Sequence, residues 1–268
     1  MRGSRAHDPA VSTINPEELL LAYRLGIFPM AESRTAKEVL WVRPHERGIL
    51  PLEKFHVPRR LARLVRSNRY RVTVDKAFQE VIRGCAESRP ERRETWINDA
   101  IVKVFEALHS RGLAHSVEVW RQDELAGGLY GLELGAAFFA ESKFSRLRDA
   151  SKVALVHLAA RLKAGGYLLL DAQFPNPHLE QFGAVAIAEE RFQLLLSHAL
   201  AESANFYSLD GIEVALGAPV CGVAGGAAAA AFAANVPATP VTESPLRVDA
   251  ATEALAGSSV LQVITQTS

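Results

Sequence analysis

The sequence predicts an α+β fold, a mixed sheet with helices on both faces, plus a small N-terminal domain. Three observations lead there. Runs with strand-like alternation and runs with helical apolar spacing follow one another from about residue 70 to residue 200. Near the middle, three strand-like runs stand in quick succession with only turns between them. A continuous apolar stretch, Tyr167 to Leu170, has the look of a strand enclosed within a sheet. The expected division is a small α/β domain over 1–58, the main domain over 59–200 and a low-complexity, flexible tail over 201–268.

The first helix opens at Asn15-Pro16-Glu17-Glu18, which supplies a capping side chain, a proline with no amide hydrogen to leave unpaired, and two carboxylates at the positive end of the helix dipole. It runs to Arg24 and stops at Gly26. Ile27-Phe28-Pro29-Met30 and Leu40-Trp41-Val42 are apolar islands read as packed loops, and Pro44 and Pro51 keep the chain irregular as far as Phe55. From Val57 to Arg71, six arginines (Arg59, Arg60, Arg63, Arg66, Arg69, Arg71) stand without a carboxylate among them. On a helix, Arg59, Arg63 and Arg66 share one face, which suits either a phosphate backbone or plain solvent.

Tyr70 to Val74 reads as a short strand, after which Asp75 is expected to cap a helix carrying Phe78, Val81, Ile82 and Cys85. Ser88 to Glu94 is a charged loop, and Ile101, Val104, Phe105 and Leu108 mark the next helix, closed by Arg111-Gly112. The strands Ser116 to Arg121, Leu125 to Gly131 and Ala136 to Ser142 form an antiparallel meander. Asp149 or a neighbour then caps a long helix stopped by Gly165-Gly166. The Tyr167 strand, a short His178 to Phe182 helix, a Val185 to Ile187 strand and a Glu189 to Leu200 helix complete the pattern.

Composition excludes several function classes. Lys+Arg and Asp+Glu both total 30, so net charge offers no argument for a nucleic-acid partner. Two cysteines far apart, Cys85 and Cys221, fit a reducing, cytoplasmic setting without a disulfide framework. The first fifteen residues lack the apolar run of a secretory signal. Val214 to Val236 is uncharged, but it is mostly Ala and Gly around Pro219 and reads as a linker rather than a membrane span, so no membrane partner is expected. His109, His115, His157 and His178 pair with no other ligand at metal spacing, and no metal or other cofactor is expected.

Two segments carry the chemistry. Leu170-Asp171-Ala172-Gln173-Phe174-Pro175-Asn176 places a carboxylate and an amide where a buried strand ends, a position at which open sheets bind ligands; a capping Asp and a structural Gln are the plainer alternative. Phe138-Phe139-Ala140-Glu141-Ser142-Lys143 sets aromatic rings beside a lone carboxylate at the end of the third meander strand, a pocket for an apolar group next to a cationic amine, or ordinary core with an exposed Glu. Trp96 and Trp120 could stack on a nucleobase, although packing is the commoner role of tryptophan, and Gly127-Gly128-Leu129-Tyr130-Gly131 permits close backbone approach or a bulge.

The element order is similar to that of the N-acetyltransferase (GNAT-type) fold, although Ser145 to Ala150, where those enzymes cradle pyrophosphate with glycines, contains none. Several motifs in register then resemble the leucyl/phenylalanyl-tRNA protein transferase family: Ala22-Tyr23-Arg24-Leu25-Gly26-Ile27-Phe28-Pro29, Thr95-Trp96-Ile97, His115-Ser116-Val117-Glu118-Val119-Trp120, Glu141-Ser142-Lys143-Phe144-Ser145-Arg146 and Asp171-Ala172-Gln173. The resemblance implies an acyltransferase-like catalytic domain over 59–200. The implied reaction transfers Leu or Phe, and Met weakly, from aminoacyl-tRNA to proteins that begin with Lys or Arg, marking them for degradation. It implies catalytic roles for Asp171 and Gln173 and an aminoacyl-adenosine pocket lined by Met30, Trp96, Leu129, Phe138, Glu141, Ser142 and Asn176. Arg59, Arg60, Arg63 and Arg66 would lie under the tRNA acceptor stem, and a monomer is expected. Met30 stands where many members have Trp, Lys143 where Met is usual and Glu94 where Gly is usual. A coenzyme-A-dependent N-acyltransferase and a catalytically silent tRNA-binding protein are the competing readings.

Overall fold

The computed structural model describes residues 13–88 and 94–210. Helix α1 (Pro16–Arg24) starts as expected: the Asn15 side chain accepts the Glu17 amide at 2.9 Å, and Gly26 ends the turn at φ 74°. It buries Leu19 and Tyr23 completely. The two apolar islands that follow are not loops. They are β1 (Phe28–Met30) and β2 (Leu40–Val42), an antiparallel pair three residues long, with Leu40 and Trp41 exposed. Strands this short, one of them holding a proline, show no alternation to read. Next comes β3 (Glu46–Ile49), also unforeseen in the sequence.

Helix α2 (Arg59–Arg66) turns Leu61, Ala62 and Val65 inward and its arginines outward. Strand β4 (Arg71–Val74), α3 (Phe78–Ala86), α4 (Asp99–Ser110), and the meander β5 (Ala114–Arg121), β6 (Glu124–Leu134) and β7 (Ala137–Ser145) follow as anticipated, with β6 and β7 a few residues longer. Asp75 does not cap α3, whose first turn has no side-chain cap. Its carboxylate instead accepts the Ser116 amide at 2.7 Å and holds His115 Nδ1 at 2.8 Å, tying the β4–α3 turn to β5. Asp149 likewise precedes α5 (Ala150–Ala164) at φ 63° without capping it, its carboxylate accepting from Lys152 Nζ at 2.9 Å.

The remaining elements are β8 (Leu169–Asp171), α6 (Pro177–Glu180), β9 (Val185–Ala188) and α7 (Glu189–Ala201). Seven strands form one mixed sheet in the order β4-β5-β6-β7-β8-β3-β9, in which only β7 and β8 run parallel. Strand β3, from the expected N-terminal domain, therefore sits inside the main sheet between β8 and β9, and a boundary at residue 58 divides one continuous sheet. Apolar side chains cover both sheet faces. One core gathers Leu61, Val65, Phe138, the buried side of α5 and Phe206; the other gathers Leu19, Tyr23, Phe139, Phe192 and the inner faces of α3 and α4.

The docked chain also reaches beyond α7. Phe206 is buried, and Arg161 donates to its carbonyl at 2.8 Å while pairing with Asp210 at 2.8 Å, so the expected tail begins no earlier than residue 211. The rest of that tail, with Val214 to Val236 and Cys221, lies outside the described residues, among which no helix is long and apolar enough to cross a membrane.

Candidate active site

Strands β7 and β8 pair only over Ala137↔Leu169, Phe138↔Leu170 and Phe139↔Asp171, and then part. The fork between them opens a cavity of about 300 Å³, the size at which small-molecule sites begin. Its walls come from β7 (Ala140, Glu141, Ser142, Lys143), from the segment after β8 (Ala172 to Asn176), and from Phe28, Met30, Leu50, Trp96, Leu129, Leu155 and Leu179.

A bulge aims Glu141. The β6–β7 pairing steps from Tyr130↔Ser142 to Gly131↔Ala140, leaving Glu141 without a cross-strand partner, as a residue re-aimed by a bulge is. Gly131 permits this, since a Cβ there would lie 2.4 Å from both the Phe138 ring and the Phe139 carbonyl oxygen. Burial pushes the Glu141 carboxyl up to about 8, the charge of Asp171 adding to it while Tyr23, Arg47 and Gln173 pull the other way.

Gln173 is held at φ 59°, a left-handed conformation that costs a side-chain-bearing residue about 1–3 kcal/mol unless its surroundings enforce it. They do. Asp171 Oδ1 accepts the Gln173 amide at 2.9 Å, and the Gln173 carbonyl accepts the Gly48 amide at 3.1 Å. A Cβ on Gly48 would meet the Phe174 carbonyl oxygen at 2.4 Å, so glycine lets β3 press against this turn. The result points Gln173 Nε2 at Glu141 Oε1, 2.9 Å away.

Asp171 itself does not line the cavity. It is fully buried, and Arg47 takes both its oxygens, Nε to Oδ1 at 2.9 Å and Nη2 to Oδ2 at 2.6 Å. Arg47 also donates to the Gly26 carbonyl at 2.8 Å and lies between the rings of Phe28 and Phe192, at 4.8 and 4.4 Å. Phe138 is the other expected wall residue that lies elsewhere. Its ring lies in the same core as Leu129 and Leu155, on the sheet face away from Phe139, but is stacked 5.7 Å from Phe206 and does not reach the cavity.

Met30, Trp96, Leu129, Glu141, Ser142, Gln173 and Asn176 are brought together on the cavity wall. Trp96 is held from both sides: its carbonyl accepts the Ala31 amide at 3.0 Å, and Asn98, two residues on, caps α4 through the Ile101 amide at 3.0 Å. The Asn176 oxygen is committed to capping α6, accepting the His178 amide at 2.9 Å. Arg60 and Arg63 line a separate basic depression; Arg59 and Arg66 are exposed outside it. Sequence reasoning passed over Arg47, whose one visible signal is a cation set in the short apolar run Arg47-Gly48-Ile49-Leu50.

Comparison with known proteins decides the kinship. A sequence model described as leucyl/phenylalanyl-tRNA protein transferase matches residues 49–197, and one described as the N-terminal domain of that transferase matches residues 12–45. The chain belongs to this family. Among proteins named leucyl/phenylalanyl-tRNA–protein transferase, that of Nitrobacter winogradskyi is 56% identical over 204 residues, covering 76% of this chain and 91% of the relative. That of Paramagnetospirillum magneticum is 57% identical over 188 residues, 70% and 90% of the two chains. That of Afipia carboxidovorans is 50% identical over 224 residues, 84% and 99%. In this transferase-family chain every residue of the cavity wall falls within one of the two family matches, which leave only residues 46–48, inside β3, between them.

Proposed function

We infer that the chain moves a leucyl or phenylalanyl group, and more weakly a methionyl group, from its tRNA ester to the α-amine of a protein that begins with Lys or Arg, the modification that marks such proteins for degradation. One observation carries the reading: the Gln173–Glu141 pair is the polar centre of an otherwise largely apolar cavity at the fork of β7 and β8. Met30, Trp96, Leu129, Phe28 and Leu155 give an apolar side chain a place to sit beside those groups.

The chemistry asks little beyond positioning. An aminoacyl ester is already activated, and aligning amine and ester supplies most of the acceleration. The attacking α-amine has a reference pKa of about 8, and the ionised form of the Glu141 carboxyl, whose pKa is about 8, can take the amine's proton as the C–N bond forms and pass it to the ribose oxygen as the ester C–O bond breaks. Gln173 orients that carboxyl through its amide. Asp171 acts as a positioning residue, fixing the Gln173 backbone rather than meeting substrate, since Arg47 occupies its oxygens.

The acetyltransferase-like reading of the fold is supported by the single parallel pair β7/β8 joined through α5, with the site where the pair splits. A cytoplasmic monomer meeting aminoacyl-tRNA and acceptor proteins fits this reading. The test is transfer of labelled leucine from leucyl-tRNA to peptides that begin with Arg, Lys or Ala. Label on the Arg and Lys peptides but not on the Ala peptide is expected; label on none of them overturns the reading.

A further inference from the structure

The segment that walls the reaction cavity after β8 also walls a second, smaller cavity. This one measures about 60 Å³ and is formed against the edge of the sheet by Gly48, Ala184, Val185 and Ala186. It adjoins the larger cavity, since Phe174, Asn176 and Leu179 line both. Local sequence places one charge on its wall. Asn176 caps α6, Pro177 opens it and Leu179 is buried, which leaves the next residue, Glu180, exposed at the small cavity. Gly183, at φ 90°, then turns the chain towards β9. Glu180 has no cationic partner among the described residues.

The two cavities differ in the charge they offer. The larger has Lys143 on its wall, and its one carboxylate, Glu141, accepts from Gln173 Nε2 at 2.9 Å and serves the α-amine in the reading above. A cationic side chain carried by the same residue as that amine meets a like charge at Lys143 and finds Glu141 engaged. The smaller cavity offers a carboxylate and, among its lining residues, no cation.

The surface between them suits a long aliphatic stem. Phe174 is 44% exposed and stands edge-on to Phe28, with 5.4 Å between ring centroids, so an aromatic rim runs from the reaction cavity to the small one. Lys and Arg lay their methylene stems along apolar surface while the charged end stays at water, and an aromatic face attracts a cation that passes over it. At about 60 Å³ the small cavity falls far below the roughly 300 Å³ at which small-molecule sites begin, so it admits the end of one side chain and not a ligand of its own.

Resting on the transferase reading above, we propose that this small cavity is the subsite for the cationic side chain of the acceptor's first residue, with its ammonium or guanidinium paired to Glu180. Glu180 thereby sets the preference for Lys and Arg over uncharged residues and takes no part in the bond-forming step.

The test uses the full-length chain, leucyl-tRNA and three peptides that differ only in their first residue: Arg, Lys, and citrulline, which has the shape of Arg without its charge. In Glu180→Gln, KM for the Arg and Lys peptides is expected to rise about fivefold, the upper end of what a solvent-exposed ion pair contributes. The kcat, the KM for leucyl-tRNA and the melting temperature stay as they were, and so does the Ki of the citrulline peptide as a competitor. Glu180→Lys should raise KM for the two charged peptides further, and Glu180→Asp should restore part of the preference. Unchanged KM for the charged peptides in Glu180→Gln, or an equal loss for charged and citrulline peptides, overturns the proposal.

If the unaltered chain transfers leucine to none of the peptides, the transferase reading has failed, and the subsite is judged on direct binding of the same peptides. Tighter binding of the Arg peptide than of the citrulline peptide, lost in Glu180→Gln, sustains it; equal binding of the two overturns it.

Discussion

Arg47 holds both carboxylate oxygens of Asp171 across 124 residues of chain, with the two side chains almost wholly out of water. Desolvating two charges is costly, and the pair is repaid only because both oxygens and the Gly26 carbonyl complete the guanidinium's contacts. Removing one partner leaves the other charged, buried and alone. Arg47→Ala and Asp171→Ala are each expected to lower stability by about 3–5 kcal/mol in denaturant titrations, with the double substitution costing clearly less than the sum. Additive losses would mean the two side chains do not act as a unit.

Glu141 makes transfer and stability depend on pH in opposite senses. Its folded pKa, about 8, is above its ordinary value of 4.5, so between those values the folded state binds more protons than the unfolded one and stability falls as pH rises. Glu141→Gln should therefore be more thermostable than the parent at pH 8 and nearly equal to it at pH 4.5. The rate of transfer by the parent should climb with a midpoint near 8 as this carboxyl ionises, and the Gln variant should lose that limb. A parent whose melting temperature is flat across this window would remove the buried-acid assignment.

Much of this architecture was legible in the sequence, and the misses have physical causes. Helices α1 and α4 and the meander carry periodic patterns and strong terminators such as Asn15 and Gly112, and α5, buried nearly all round, is bounded by Gly165-Gly166. Strands β1, β2 and β3 have three or four residues each and are made strands by their neighbours, so nothing local announces them. Asp75 and Asp149 looked like caps by residue type, yet both sit at positive φ with their carboxylates turned to other partners. Motifs spread from Met30 to Asn176 name residues that the fold brings onto one cavity wall. Phe138 does not line it, its ring being taken up by Phe206 from beyond α7, a partner too distant in sequence to be read, and Arg47 was missed for the same reason.

Gly131 lets the bulge exist, and a methyl group there meets backbone as well as a ring. Gly131→Ala is expected to cost about 1–3 kcal/mol, the usual range for overpacking. It should depress transfer further than that loss implies, because Glu141 is re-aimed. Activity that simply tracks the folded fraction would show that the bulge has no part in aiming the carboxyl.

Lys143 brings a cation to the wall of the cavity. Lys143→Met replaces it with a flexible apolar chain. The substitution should raise kcat/KM for leucyl and phenylalanyl donors several-fold, and it should relax exclusion of methionyl donors, within the roughly 10- to 200-fold that one methylene commands. Unchanged ratios among the three donors would take Lys143 out of selectivity.

Because β3 is wedged between β8 and β9, a nascent chain carries it unpaired until more than a hundred further residues have left the ribosome. Non-local pairing of this kind is slow and leaves open strand edges exposed meanwhile. Translation products that stop short of Leu169 lack both neighbours of β3 and the partner of Arg47, so early termination yields an aggregation-prone fragment rather than a weakened enzyme.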